Sequence, residues 1–358
     1  MSDASTRRLI DVYTDEAPAS MFLTSTFFTN VRRHNSEEVE IDVQRDDEQV
    51  AVVIQDLSVG TRKNESGKYT NKSFKPPLYN EEGTVTSFDL MKREPGQSPF
   101  EDPQFNANAV RKAFGITRKL HNKVLRAIEL QSAQVLTTGE LILIDDAGVA
   151  LYSLDFQPKS SHFVTTTPWA ADGTTGNPLA DIESLASVLR RDGRRNPGRL
   201  VFGTVAWTRF MANAQVKAYL NSIGHQVLLK LEAPQLNSEG ATFMGYITAG
   251  TYRFECWVYD AVYQHPQTGV ITPYVPTDRV IMAAPGARMD ITFGGIPRIV
   301  PPDPRIAAFL PSRLEGPDFD LSLYAWITQD GTHLKLSVGS RPLVIPVAID
   351  TFGCLDVV

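Results

Sequence analysis

QFNANAVRKAFGITRKLHNKVLRAIELQSAQVL, residues 104–136, carries Val110, Ala113, Thr117, Leu120, Val124, Ile128 and Val135 at steps of three, four or seven. Those steps align the seven side chains on one face of an α-helix. Asp102-Pro103 opens the helix, and at about 1.5 Å per residue it runs for roughly 50 Å. A rod of that length serves as a spine on which other elements lie. Its opposite side is basic, with Arg111, Lys112, Arg118, Lys119, Lys123 and Arg126 set against the single acid Glu129. That side is either an ordinary wet face or a surface for a polyanion, an acidic neighbour or DNA.

Upstream, residues 56–83 are loop chemistry: Arg62, Lys63, Lys68, Lys72 and Lys75 stand among Gly60, Gly67 and Pro76-Pro77. The flanking β-rich segments Val50–Ile54 and Thr84–Leu90 are expected to pair as the legs of a long hairpin. A lone two-stranded hairpin is marginal in water, so this one needs a neighbour. Val39, Ile41 and Val43 alternate with Glu40, Asp42 and Gln44 as a half-buried strand does. The run Met21–Phe28 is apolar and aromatic, whereas the first 20 residues are polar and aperiodic, an arm that orders only against a partner. Acids crowd Glu37–Glu48, and the basic loop is expected to meet such an edge across a boundary between subunits.

Downstream, Asn177 is an N-cap for a helix with Pro178 at its first position, Ile182, Leu185, Val188 and Leu189 facing inward, and a stop at Arg190, Arg191 and Gly193. A strand at Leu200–Phe202 and a helix over Val205–Leu220 follow. Further strands fit Leu141–Leu154, His162–Thr166, Gln226–Leu231, Tyr252–Tyr259, Val280–Ala284 and Met289–Phe293. The Pro-rich stretch from Ile296 is a connector, and Leu334–Leu336 and Leu343–Leu355 return to strand. The fold class is α+β.

At 358 residues and 42% hydrophobic content the chain can bury a sizeable core. A net charge of −6 argues against a surface built to grip nucleic acid through its phosphates. Cys256 and Cys354 are too few for a disulfide framework and are expected as free thiols in a reducing compartment. No apolar stretch suits a membrane span or a signal peptide. The six histidines lack metal-ligand spacing, and Gly60–Lys68 has the wrong spacing for a phosphate loop. No metal, no cofactor and no catalytic residue is expected.

Several local stretches resemble the lambda coat-protein E family: Phe22-Leu-Thr-Ser-Thr-Phe-Phe28 after the arm and Glu101-Asp102-Pro103 entering the long helix. Others are Trp169 followed by Pro178 and Asp181-Ile182-Glu183, Tyr274-Val-Pro-Thr-Asp278 before Val280-Ile-Met282, and the closing Ser340-Arg-Pro-Leu-Val344. The order of pieces resembles the Hong Kong 97-type phage capsid fold. The resemblance implies an arm (1–30), a peripheral domain (31–49 and 91–180) with the spine helix 104–136, an extended β-hairpin loop (50–90), and a mixed α/β axial domain (181–297). A connector and return strands (298–358) would rejoin the peripheral domain. It further implies a shell protein and not an enzyme, assembling with itself into hexamers and pentamers around packaged double-stranded DNA, without sequence-specific binding and without a membrane. Scaffold, portal and decoration proteins are implied partners, with assembly in the host cytoplasm and residence in the virion. Contacts between subunits are expected from Phe22, Phe27, Phe28, Arg62, Lys63, Lys68, Tyr69, Lys72, Phe74 and Lys75. An encapsulin-like compartment shell is the alternative on the same fold, and a β-rich hydrolase with dispersed site residues is the alternative from another class.

Overall fold

The computed structural model of the chain describes residues 19–36, 38–44, 69–91, 105–144, 149–222, 230–236, 240–296, 313–315 and 319–358. Helix α1 (Phe22–Phe27) is followed by strands β1 (Asn30–His34), β2 (Val39–Gln44), β3 (Tyr69–Phe74) and β4 (Tyr79–Thr86), then helix α2 (Ser87–Met91) and the long helix α3 (Phe105–Thr138). At 34 residues α3 is the expected spine, and Ala113, Thr117, Leu120, Val124, Ile128 and Val135 of its apolar stripe are all buried. The Val110 side chain lies outside the described residues. The helix stops at Gly139, which takes a left-handed φ of 73° and returns its N–H to the Val135 carbonyl at 2.9 Å. A Cβ at Gly139 would also stand 2.3 Å from Pro158 Cγ, so only glycine fits.

Among the described residues of this region, a different pair of strands forms a two-stranded ladder. β2 and β3 pair antiparallel from Val39–Phe74 to Gln44–Tyr69. β4 pairs elsewhere, with residues 333–340, and Val50–Ile54 lies outside the described residues. Nor does β4 continue to Leu90. The Thr86 hydroxyl donates to the Asp89 carboxylate at 2.7 Å while the Asp89 N–H donates back to Thr86 Oγ1 at 3.2 Å. This reciprocal cap starts α2 inside a stretch whose composition favours strand.

Beyond α3 come β5 (Glu140–Ile144), β6 (Ala150–Asp155), β7 (Phe163–Thr165), α4 (Pro178–Gly193), β8 (Arg199–Phe202), α5 (Thr204–Ala212) and α6 (Ala214–Ser222). The chain continues through β9 (Lys230–Leu236), β10 (Ala241–Ala249), β11 (Tyr252–Tyr259), β12 (Val262–Gln264), β13 (Ile271–Pro273), β14 (Arg279–Ala283) and β15 (Asp290–Gly294). It closes with β16 (Arg313–Glu315), β17 (Asp320–Ile327), β18 (His333–Ser340), β19 (Pro342–Ile345) and β20 (Phe352–Asp356). The Asn177 side chain caps α4 as expected, accepting from Ala180 N–H at 3.3 Å. The single helix expected over Val205–Leu220 is instead two. Asn213 is extended between them (ψ 134°), and its Oδ1 accepts from the Gln215 N–H at 2.9 Å to begin α6.

A seven-stranded mixed sheet of order β7-β20-β14-β8-β11-β10-β9 is the central layer. Its strands alternate between two buried faces. Leu200 and Phe202 of β8, with Val280 and Met282 of β14, pack under Ile182 and Leu185 of α4, Phe210 of α5 and Val216 of α6. Val201 and Ile281 point the other way, into the cluster that holds Val124 and Ile128 of α3. Cys256 and Cys354 are both free and buried as expected, one in each cluster. A second sheet, β16-β17-β18-β4, lies on α3. β4 approaches the helix so closely that a Cβ on Gly83 would fall 2.3 Å from Ile116 Cγ2. β17 is an inner strand of this sheet and begins in the stretch that reads as connector. The closing strands are divided: β18 joins β4, β19 joins β15, and β20 enters the central sheet between β14 and β7. Among the described residues no helix is long and apolar enough to cross a membrane.

Candidate functional site

The rear of α3 differs from its front. From Ile128 to Leu136 the side chains of Ile128, Glu129, Gln131, Ser132, Ala133, Val135 and Leu136 are all fully buried, so this part of the helix has almost no wet side. A buried polar group must be hydrogen-bonded or it costs on the order of 1–3 kcal/mol. Gln131 meets the condition by donating its amide to Tyr79 Oη (2.9 Å) and to the Pro342 carbonyl (3.3 Å), and by accepting from the Val344 N–H (3.3 Å). It thus fixes β19 and the start of β4 to the spine.

Glu129 meets it by holding helix α1. α1 has no side-chain cap of its own, because Met21 occupies the N-cap position. The Glu129 carboxylate supplies the cap from α3, accepting from the N–H of Leu23 at 2.7 Å and of Thr24 at 3.0 Å. Thr24 Oγ1 donates to the same oxygen as the Thr24 N–H, at 2.7 Å, and Tyr259 Oη donates to the other at 2.8 Å. One carboxylate therefore joins three elements: α1, α3 and β11. Burial pushes its pKa up to about 7, although all four donors oppose that rise by favouring the charged form.

Aromatic packing completes the seat. The Phe22 ring lies 5.2 Å from Trp257 and 5.4 Å from Tyr259, and Tyr259 stacks on Tyr274 at 6.2 Å. Beyond α1 the chain is anchored again, where Asn30 Nδ2 donates to Asp290 at 2.7 Å and Arg32 pairs with the same carboxylate at 2.9 Å. Asp290 is nearly fully buried, so these partners compensate its lost hydration.

Phe22, Phe27 and Phe28, expected between subunits, are 1%, 6% and 0% exposed within the chain's own core. An apolar run can serve either role, and here it fills the space between α3 and the central sheet. Arg62, Lys63 and Lys68 lie outside the described residues. Tyr69, Lys72 and Phe74 stand on β3, opposite Gln44, Ile41 and Val39 of β2, and Lys75 is exposed just after the strand. On the β2–β3 ladder the acids stand opposite neutral residues, Glu40 against Ser73 and Asp42 against Asn71, and Lys72 stands opposite Ile41. Glu129 is the residue that pattern reading missed, since a lone acid on a basic helix reads as wet. Its position beside Gln131 and Ser132, after the basic residues end at Arg126, was the available signal.

Elsewhere, His162 Nε2 and Lys159 both meet Asp192 at 3.1 Å. Burial would raise the Asp192 pKa, but these two partners pull it down to about 2, as in a structural ion pair that ties α4 to the turn before β7. Among the described residues no cluster of side chains could hold a metal ion.

A family model described as phage major capsid protein E matches residues 5–353. No curated protein is significantly similar in sequence. Among solved structures, the chain is similar to the capsid protein of a prophage of E. coli CFT073, at 16% identity and TM-score 0.64, covering 95% of this chain and 94% of that one. It is also similar to the SrpI encapsulin of Synechococcus elongatus PCC 7942, at 10% identity and TM-score 0.50, covering 100% and 96%.

Proposed function

This chain belongs to the phage major capsid protein E family, and from that premise we propose that its copies close as hexamers and pentamers into an icosahedral shell around phage double-stranded DNA. It is a major capsid protein with the Hong Kong 97-type fold, a component of a virion that assembles with itself. The match over residues 5–353 carries this reading, because it spans arm, spine and both sheets together.

Within it, residues 1–30 act as an arm rooted at the Glu129 seat, and the extended loop within 50–90 reaches a neighbouring copy through Arg62, Lys63, Lys68, Tyr69, Lys72, Phe74 and Lys75. The stretches 31–49 and 91–180 form the peripheral domain, 181–297 the axial domain, and 298–358 the connector and return. A scaffold, a portal and a decoration protein are the further partners, and assembly takes place in the host cytoplasm. Phe22, Phe27 and Phe28 serve the shell indirectly, by fixing α1, the root of the arm, in the core. Electron microscopy of the expressed full-length chain tests the proposal. Closed shells or five- and six-membered rings are the expected result, and a homogeneous monomer at high concentration would overturn it. The encapsulin-like alternative is separated by content: nuclease-protected DNA in particles from infected cells supports the capsid reading, and a protein cargo without DNA refutes it.

A further inference from the structure

We propose that Glu129 is a proton-operated latch on the root of the N-terminal segment, holding residues 20–28 against α3 and β11 when neutral and loosening them when ionised. The geometry shows a carboxylate whose hydrogen-bond shell can be completed in either state. Each oxygen takes one backbone N–H, from Leu23 or Thr24, which cannot turn round, and one hydroxyl, from Tyr259 or Thr24, which can. Both hydroxyls have a second partner in place. Tyr259 Oη lies 2.8 Å from Ser20 Oγ, and Thr24 Oγ1 lies 2.8 Å from Ser132 Oγ, which itself reaches the Ile128 carbonyl at 3.2 Å. A proton arriving on the oxygen shared with Thr24 is received by Thr24 Oγ1, whose own hydrogen turns to Ser132. On the other oxygen, Tyr259 accepts and turns its hydrogen to Ser20. Either way both backbone N–H groups keep their acceptor.

The neutral state therefore loses no hydrogen bond, whereas the ionised state is a buried charge. The titratable groups facing it are Tyr259 of β11 and Tyr274 of the segment before β14, both pushed up by burial, and Arg126 of α3 acts on Tyr274. α1 contributes no ionisable side chain. Tyr274 Oη is buried and has no hydrogen-bond partner among the described residues, so it brings no compensating bond to the carboxylate. Opening the seat lets water reach Glu129, which relieves the charge and does little for the neutral acid. The sign follows: the closed form binds the proton more tightly than the open one, so opening increases as pH rises through the folded-state value. The interval from the ordinary 4.5 to about 7 corresponds to a change of about 300-fold in the opening equilibrium. Ser20 belongs to this hydrogen-bond chain, so the proton is felt in the residues just ahead of α1.

Hydrogen exchange of the Leu23 and Thr24 amides in the full-length chain, corrected for the intrinsic pH dependence of exchange, reads the latch directly. Between about pH 5 and about pH 8 the wild-type opening equilibrium should rise by at least tenfold, within the about 300-fold ceiling. In Glu129→Gln the same amides should open more than in the wild type at about pH 5, since an NH2 group cannot accept from a backbone N–H, and should do so without pH dependence. Tyr259→Phe retains the carboxylate and removes one donor, so its transition should move to higher pH. A flat wild-type profile, an unaltered slope in Glu129→Gln, or a Tyr259→Phe transition that stays put or falls would overturn the latch. The latch stands on this geometry alone, and only its use in shell assembly rests on the function proposed above. Flat exchange in particles that form normally would therefore refute the latch and leave the capsid reading intact.

Discussion

The front and rear of α3 solve different problems with one backbone. Over residues 112–126 the helix is half wet: Ala113, Leu120 and Val124 are buried while Arg118, Lys119 and Lys123 are exposed, and Lys123 pairs with Glu81 of β4 at 3.0 Å. Over residues 128–136 it is enclosed, and its polar side chains face protein instead of water. In the front the contrast between apolar and charged side chains defines the fold. In the rear that contrast is gone, and the specific information lies in Glu129 and Gln131, which join α3 to α1, β11, β4 and β19. A buried polar contact discriminates between partners because a wrong one leaves a donor unpaired, which a buried leucine cannot do.

The contrast is tested most severely at Glu129. Glu129→Leu uncaps α1 and strands two buried N–H groups, and should destabilise the chain by about 4 kcal/mol at about pH 5, seen as a lower denaturant midpoint. A loss below about 1 kcal/mol would mean that the rear of α3 is held by packing alone. Next comes pH. The Glu129 pKa is raised on folding, so its contribution is fully favourable below the ordinary 4.5 and is lost as pH rises through about 7. The stability difference between wild type and Glu129→Leu should shrink by about 3 kcal/mol across that window, and a difference that widens instead would reverse the assignment. Gln131→Leu orphans the Val344 N–H and should cost about 2 kcal/mol, with the loss accompanied by faster hydrogen exchange in β19. Smallest is the front: Lys123→Ala should change stability by no more than about 0.5 kcal/mol, because its ion pair with Glu81 is solvent-exposed on both sides. A larger effect would show that the basic face is structural.

Legibility followed hydration. The spine helix, expected over 104–136 and observed over Phe105–Thr138, was readable because its front half has a wet face to contrast with its buried one. α4 was readable for the same reason, with Asn177, Pro178 and Gly193 marking its ends. The break at Asn213 and the start of α2 at Thr86 were missed, since each depends on one side chain bonding the backbone, a local competition that composition does not resolve. β17 was hidden because its neighbouring prolines make the whole stretch read as a connector.

The candidate site was legible in its parts and not in their arrangement. Phe22–Phe28 stood out as an apolar run, but whether such a run faces a neighbour or its own core depends on what surface folding leaves uncovered. The acidic and basic stretches stood out as opposites, but which of their residues stand opposite one another on β2 and β3 is a matter of register.

By itself the sequence determined the periodic elements, the free thiols, the absence of linear catalytic motifs and, through scattered local matches, the family. Those are properties of a residue and its near neighbours, expressed at separations of a few positions. Only the tertiary structure decided that Glu129 caps a helix 106 residues earlier in the chain, that the Tyr259 hydroxyl reaches it from 130 residues later, and that β20 enters the central sheet. The physical reason is that a carboxylate has the same sequence signature whether water or four donors surround it. Which of the two it meets is set by chain segments that come together only when the core closes.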